Sequence, residues 1–379
     1  MDQLPVEIHS KILGLACVDD NSTGRSLALT CKWLGDIANL VRFEAVSLCG
    51  TSTVVQFAAM LDGLPNHAAA TSGKINHLFV SDLSRKEAEE AGVRMNLRMR
   101  KLAIARKLIA SDDNGDTYDD DYDKIDLKSY KERMGLMHER AKLFYGAFHR
   151  VLHHTSQSLR TLFIIATLQC AEDLPPFPMP NLTDFSTTIA YSSFASSSTY
   201  PNLKRINIDF DPCLTNHKPI NFRNCTPALE ELRITDLRAS ISSNNTANLL
   251  AALAAYDIRC MELGARNVGH NIIFPDSMKV VFIQPCSPPY GARCSNPRRT
   301  YISFNHNLIL TAKQFAESEN RHAGLRVVIL PAPDVYSWVK GKSSGLHYSF
   351  EDAKRDWTNV LLGDGKGCWD DVDQEDLRG

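Results

Sequence analysis

Pro201-Asn202-Leu203-Lys204-Arg205-Ile206-Asn207-Ile208 and Pro227-Ala228-Leu229-Glu230-Glu231-Leu232-Arg233-Ile234 are two copies of one pattern. After a proline lead-in, apolar residues stand at positions one, four and six. The last two are separated by one polar residue, the period of a strand with one buried face. The same form recurs at Leu159/Leu162/Ile164, Leu182/Phe185/Thr187, Ile258/Met261/Leu263, Met278/Val281/Ile283 and Leu325/Val328/Leu330, with a weaker copy at Arg299/Ile302/Phe304. From Leu159 onward the first positions, Leu182, Leu203, Leu229, Ile258, Met278, Arg299 and Leu325, follow at steps of 23, 21, 26, 29, 20, 21 and 26. Pro180-Asn181-Leu182 repeats the lead-in. One such hit carries no weight; a regular series does. Two earlier candidates are Phe43/Val46/Leu48 and Ile75/Leu78/Val80.

Form and spacing resemble leucine-rich repeats, whose units run about 20–29 residues. The usual asparagine or cysteine ladder after the strand is missing: the ninth positions hold Thr167, Ala190, Asp211, Leu237, Arg266, Cys286 and Asn307. The connectors also vary. Residues 247–256 and 311–319 read as helices, and 211–227 and 285–297 as loops containing proline and cysteine. The expectation is an α/β chain built on an irregular leucine-rich-repeat solenoid over residues 158–335, with first repeat-like strands in 43–83. An ordinary α/β domain with several parallel strands is the competing reading.

Ahead of the strands stands a dense apolar segment, Leu4-Pro5-Val6-Glu7-Ile8, Ile12-Leu13, Ser26-Leu27-Ala28-Leu29-Thr30-Cys31-Lys32-Trp33-Leu34 and Ile37-Ala38. Glu7, His9 and Lys11 interrupt it and no basic residue opens it, which argues against a signal peptide. Pro5 suits a first helical turn. Ile8, Ile12 and Leu15 recur at helical spacing, and Asp19 to Gly24 is a turn cluster that can cap a second helix. Three helices in about forty residues sit at the lower limit of independent folding, so some of these hydrophobes should face a partner.

The ordered pieces Leu-Pro-x-Glu-Ile, Ile-Leu and Ser-Leu-x-Leu-Thr-Cys-Lys-x-Leu make residues 1–42 resemble an F-box. Trp33 departs from the family pattern, where the tryptophan falls a residue or two later. The resemblance implies docking to a Skp-type adaptor and, through it, to a cullin–RING ubiquitin ligase. By position, Leu4, Pro5, Ile8, Ile12, Leu13, Leu27, Leu29, Cys31 and Leu34 would form the adaptor-facing and internal set. A helical cap without any partner is the alternative. An F-box followed directly by a degenerate leucine-rich array resembles the large F-box families of mushroom-forming fungi, in which the array is the substrate-recognition part. Phe43 follows the helices at once, which predicts a rigid fusion without a linker.

Residues 84–157 read as a helical insertion. Residues 85–110 pattern as a basic amphipathic helix. The acidic run from Asp112 to Asp126 lacks the glycine and glutamate spacing of a calcium loop and reads as a solvated, disordered loop. Met134, Met137, Ala141, Phe144, Phe148 and Val151 then form a long helical seam suited to capping the first repeat or packing on a neighbouring helix. Residues 336–379 should supply a capping helix, Phe350 to Leu362 with Ala353, Trp357, Val360 and Leu361 on one face, for the far end of the array, and an acidic tail.

Composition narrows the function. Net charge is −2, so no global field points to nucleic acid or a membrane. Ten cysteines form no C-x-x-C pair, the usage of a reduced, intracellular chain, cytoplasmic or nuclear. His149 and His153 stand one turn apart beside His154, but no further ligand stands at metal spacing. His138-Glu139 lacks its second histidine, Gly341-Lys342-Ser343 lacks its earlier glycine, and no nucleophile elbow occurs. No catalytic residue and no cofactor is expected.

The resemblance therefore implies a receptor for an unknown client protein, working by proximity and doing no bond chemistry itself. Strand alternation names the client face: Arg205, Asn207, Asp209, Glu231, Arg233, Thr235, Glu262 and Gln284, with Ser303 and Asn305 beyond. Mixed charge there argues against a nucleic-acid groove. The alternatives are solvated strand residues without a client, or a leucine-rich scaffold with no ligase role.

Overall fold

The structure is a computed structural model. It describes residues 5, 8–9, 12–13, 22–41, 43–63, 75–88, 127–166, 177–188, 200–209, 220–237, 272–285, 306, 309–310, 325–330 and 350–362. Its strands are β1 (Ala45–Cys49), β2 (His77–Ser81), β3 (Thr161–Ile165), β4 (Asp184–Thr187), β5 (Arg205–Asp209), β6 (Ile220–Asn221), β7 (Glu231–Leu237), β8 (Ile272–Ile273), β9 (Val280–Pro285) and β10 (Arg326–Ile329). The helices are α1 (Ser22–Thr30), α2 (Lys32–Val41), α3 (Thr51–Asp62), α4 (Leu127–Thr155), α5 (Phe222–Cys225) and α6 (Phe350–Leu362).

The chain is an α/β protein organised on one eight-stranded parallel sheet, in the order β1-β2-β3-β4-β5-β7-β9-β10. Strand order follows chain order, so each crossover returns to the neighbouring position. β6 and β8 pair separately. The register aligns Val46, Leu78, Leu162, Phe185, Ile206, Leu232 and Val281 across seven strands, with Leu48, Val80, Ile164, Thr187, Ile208, Ile234 and Ile283 two residues on. All fourteen are buried. This inner face is where positions four and six of the pattern were expected.

The proline lead-ins form turns. Leu182 N–H donates to Met179 O, Leu203 N–H to Tyr200 O, and Leu229 N–H to Thr226 O, at 3.2, 3.2 and 3.1 Å. Each is a four-residue turn with Pro180, Pro201 or Pro227 second, where a fixed φ suits the bend. The third residue of each turn, counting also the turn from Pro275 to Met278, reaches back one repeat. Asn181 Nδ2 donates to Gln157 O and Asn202 Nδ2 to Pro180 O, both at 2.7 Å, and Ser277 Oγ donates to Pro227 O at 2.8 Å. A polar ladder thus exists, but it precedes the strands. Ala228 holds the same place in the β7 turn and has no side chain to continue it.

Helices close the inner face over the first strands. α3 supplies Val54, Ala58 and Leu61, and α4 supplies Ala141, Phe144, Phe148, Val151 and Leu152, to the main core. The α4 seam holds from Ala141 to Val151, but Met137 lies exposed; the Met134 side chain is outside the described residues. Arg140 ties α4 to the sheet's edge, with Nη2 donating to Asp82 O at 2.7 Å and pairing with Glu87 at 2.9 Å. Asp62 at the end of α3 accepts from Arg150 and lies against His154, both at 2.8 Å.

Four expectations change. β7 pairs directly with β9, and β9 with β10, which leaves no place in the sheet between them for Ile258/Met261/Leu263 or Arg299/Ile302/Phe304. In β10 the pairing sets Val327 opposite Val281 and Ile329 opposite Ile283. Val327 and Ile329, not Val328, therefore pack on the main core; the strand begins one residue earlier after Leu325. Residues 220–225, read as loop, form β6 and α5, and the stacked rings of Phe222 and Phe274 lie 6.2 Å apart. α6 has the expected bounds and apolar face, but packs on β2 and β3, not on the far end of the array, because the outward residues of those strands are aromatic and aliphatic. The expected helices at 85–110, 247–256 and 311–319, the acidic run and the acidic tail lie largely or wholly outside the described residues. No helix among the described residues is long and apolar enough to cross a membrane.

Candidate functional site

Two surfaces carry features that the fold does not use. The first is the N-terminal helical segment. Residues 8–9 and 12–13 are helical and are followed by α1 and α2. α1 begins inside the expected turn cluster, at Ser22. Inward go Leu13 and Ile37, both buried. Outward go Ile12 and Leu29, which are 50% and 80% exposed, with Ile8 and Trp33 also exposed. Ile8 and Ile12 are four apart and share a helix face. Pro5 and Cys31 are exposed and Leu27 is half-buried. Leu4 and the side chain of Leu34 are outside the described residues.

Trp33 was read from sequence both as a departure from the family pattern and as one of the hydrophobes too many to be buried together. Its ring meets the buried imidazole of His9 edge-on, 4.7 Å between centroids. His9 Nδ1 lies 3.2 Å from Pro5 O. The indole therefore braces the turn at Pro5 while remaining 43% exposed. A hydrophobic group of this kind on a small helical unit marks a contact surface.

The second surface is the outer face of the sheet, opposite the main core. Its middle row reads Ser47, Phe79, Phe163, Ser186, Asn207, Arg233, Phe282 and Val328 from β1 to β10. The apolar part at β2 and β3 lies beneath α6, where Phe79, Phe163 and Ile165 join Ala353 and Trp357. From β4 to β7 the row is polar, and it turns apolar again at Phe282 on β9 and Val328 on β10. Asp184 forms an ion pair with Arg205 and accepts from Thr183 Oγ1 at 2.7 Å. Glu231 follows Arg205 on the next strand. Burial pushes the Glu231 carboxyl above its ordinary range, and the Arg205 charge draws it only partly back. Arg233 Nη2 donates to Gln284 Oε1 at 3.3 Å.

Arg205, Asn207, Glu231, Arg233, Thr235 and Gln284 thus share one face as expected. Two of them offer a partner little surface: Asn207 and Thr235 are each 1% exposed. Asn207 Nδ2 donates to Ser186 Oγ at 3.2 Å, and its Oδ1 is buried without a hydrogen-bond partner. Thr235 Oγ1 donates to Ile208 O at 3.1 Å. The Asp209 side chain, Glu262, Ser303 and Asn305 lie outside the described residues. Asp184 and Ser186 belong to this face and were missed, although they occupy positions three and five of the Leu182 repeat.

Little here suits bond chemistry. His77 Nδ1 lies 3.0 Å from Thr161 Oγ1, and burial holds the imidazole below its ordinary pKa; the hydroxyl is buried and out of a substrate's reach. His149 and His153 flank Phe177, at 4.9 and 6.2 Å between rings. Among the described residues no group of three or more histidine, cysteine, aspartate or glutamate side chains could hold a metal ion. No protein-family model, no curated protein and no solved structure matches the chain.

Proposed function

We propose that the chain is the substrate-recognition subunit of a Skp–cullin–F-box type ubiquitin ligase. In this reading residues 1–42 are an F-box that docks a Skp-type adaptor. The sheet is an irregular leucine-rich-repeat solenoid, and its outer face from β4 to β9 receives the client protein. The observation that carries the reading is the outward set Ile8, Ile12, Leu29 and Trp33 on a helical segment that buries only Leu13 and Ile37 among its described large hydrophobes. The outer face supports it by presenting Arg205, Glu231, Arg233 and Gln284, half-buried, on a floor of fixed strands. Sites on regular elements hold their groups in place better than sites on loops. The protein would act by holding a client near the transferring enzyme, raising the effective concentration of client lysines.

The test is co-purification with the adaptor. The wild-type chain should capture it, and Leu29→Asp should lose capture with its unfolding midpoint unchanged, because the side chain is 80% exposed. A wild-type chain that captures no adaptor removes the ligase reading. It would leave a leucine-rich interaction scaffold whose N-terminal helices cap the array.

A further inference from the structure

Across β4, β5, β7 and β9 the outer row nearest the proline turns reads Asp184, Arg205, Glu231 and Val280. Charges in and beside this row are matched with one exception. Arg205 Nε donates to Asp184 Oδ1. One residue before the strands, Lys279 Nζ donates to Glu230 Oε2. Two residues on along β7, Arg233 Nη2 donates to Gln284 Oε1. Among the described residues Glu231 finds no side-chain hydrogen bond and no ion pair. Its neighbour across β9, Val280, has no polar side chain to offer.

The Glu231 carboxylate is half-buried on a strand paired on both sides, with β5 and β9, so its place is fixed. Burial takes water from it, which costs free energy unless a partner replaces that water. The Arg205 charge offsets part of the burial, and the carboxyl stays above its ordinary range. The sheet does not require an acid here: the same row holds Thr161 on β3 and Val280 on β9. Perturbed ionisable groups of this kind cluster at functional sites. Asp184 with Arg205 and Glu230 with Lys279 are two neutral pairs. They leave the Glu231 charge uncancelled within the group, so what this place lacks is a positively charged donor.

We propose that Glu231 is the charge anchor of the client site and takes a lysine or arginine side chain of a client polypeptide. Both side chains carry an apolar stem and a charged tip, and the carboxylate is bordered by the half-buried Val280. A charge-assisted hydrogen bond from the tip replaces the water that burial removed. An anionic group seated at the same place would meet like charge. The client is therefore basic at its point of contact. This inference rests on the client-receptor reading and narrows it.

Selection from a displayed library of random peptides, on the full-length wild-type chain and on full-length Glu231→Lys, tests it. Wild type should enrich lysine or arginine at one fixed position, and Glu231→Lys should enrich aspartate or glutamate there. Enrichment without a basic residue, an unchanged preference in the variant, or no enrichment at all overturns the proposal. Glu231→Gln keeps the test open if Glu231→Lys does not fold. Peptides selected on wild type should bind Glu231→Gln about tenfold more weakly, a loss between those of exposed and of buried ion pairs; equal binding overturns the proposal. Their affinity for wild type should also fall as pH is lowered through the Glu231 titration, because the proton competes with the bound cation. Glu231→Gln, which keeps Asp184, Arg205, Glu230 and Lys279 around the site, should lack that part of the fall. Adaptor capture by wild type separates the two readings. Capture together with peptides indifferent to Glu231 sinks only this inference. A charge-swapped preference in a chain that captures no adaptor leaves Glu231 as the anchor of an interaction scaffold.

Discussion

The two faces of the sheet come from the same strands and obey different rules. On the inner face the seven strands of the large sheet from β1 to β9 repeat one solution, an aligned buried pair, apolar in all but β4, where Thr187 stands beside Phe185. On the outer face the chemistry changes along the sheet, from Phe79 and Phe163 under α6 to Asn207 and Arg233 on β5 and β7. Parallel sheets ordinarily have both faces covered. Here α6 covers the apolar outward residues of β2 and β3, while Phe282 and Val328 make a second apolar stretch of the same row on β9 and β10. The inner face repeats one residue class, whereas the outer face varies, although Asp184, Ser186, Asn207, Thr235 and Phe282 on it are buried too.

The largest test of that contrast is within one strand. Leu232→Ala removes a fully buried inner side chain and should cost about 2–5 kcal/mol in urea unfolding. Arg233→Ala, one residue on and facing outward, should cost about 1 kcal/mol or less. Equal losses would mean that the outer face is a second core and the contrast is false.

Next comes the pair at the boundary between the apolar and polar parts of the outer face. The Asp184 carboxylate is 7% exposed and its Arg205 partner 25%. Asp184→Asn should destabilise by about 1–3 kcal/mol, between the values for exposed and for buried pairs. A double-mutant cycle with Arg205→Met measures the coupling. Additive losses would assign the Asp184 effect to its other contact, Thr183 Oγ1 at 2.7 Å, and not to the ion pair.

A smaller effect belongs to the turn ladder. Asn202→Ala removes an exposed 2.7 Å bond to Pro180 O and should cost about 0.5–1.5 kcal/mol. Ala228→Asn should extend the ladder and raise the unfolding midpoint. A midpoint unmoved by either change would show that proline alone sets these turns.

Much of the inner face was readable because alternation is a rigid rule: an apolar residue at positions four and six of each repeat has only one face to occupy. The Val281 and Ile283 positions followed from it directly. The rule fails where pairing, and not pattern, decides. Ile258/Met261/Leu263 satisfies the motif as well as Met278/Val281/Ile283 does, yet β7 pairs with β9, and nothing local to either stretch encodes that choice. In β10 Val327, Val328 and Ile329 are all apolar, so composition could not fix which one faces inward. The seat of α6 was written in Phe79, Phe163 and Ile165, outward residues too apolar to be left in water, but a helix far along the chain, beginning at Phe350, gave no sign of being their cover. In the N-terminal segment Leu29 was named from family position, and it lies exposed. Trp33 was counted among the surplus hydrophobes, but its contact with His9 was not legible, because nothing in the local sequence brings the two rings together.

The smallest predicted effect sets two titrating groups of the outer face against each other. His77 on β2 and Glu231 on β7 occupy the same row. Burial is the largest cause at both and favours the neutral form of each, so the imidazole pKa is lowered from 6.5 and the carboxyl pKa raised from 4.5. Their effects on stability have opposite signs. As pH falls through the ordinary histidine range, the unfolded chain takes up the His77 proton first, and stability is lost until the folded pKa is passed. As pH falls through the raised Glu231 pKa, the folded chain takes up the proton first, and stability is gained until the unfolded pKa is reached. Urea unfolding of wild type, His77→Gln and Glu231→Gln at pH 7.5, 5.5 and 4.5 separates the two. His77→Gln should lose less stability on acidification than wild type. Glu231→Gln should lose more, because the relief supplied by the protonating carboxyl is gone. If both variants track wild type, the row is open to water at both ends, and α6 does not seal β2 against solvent.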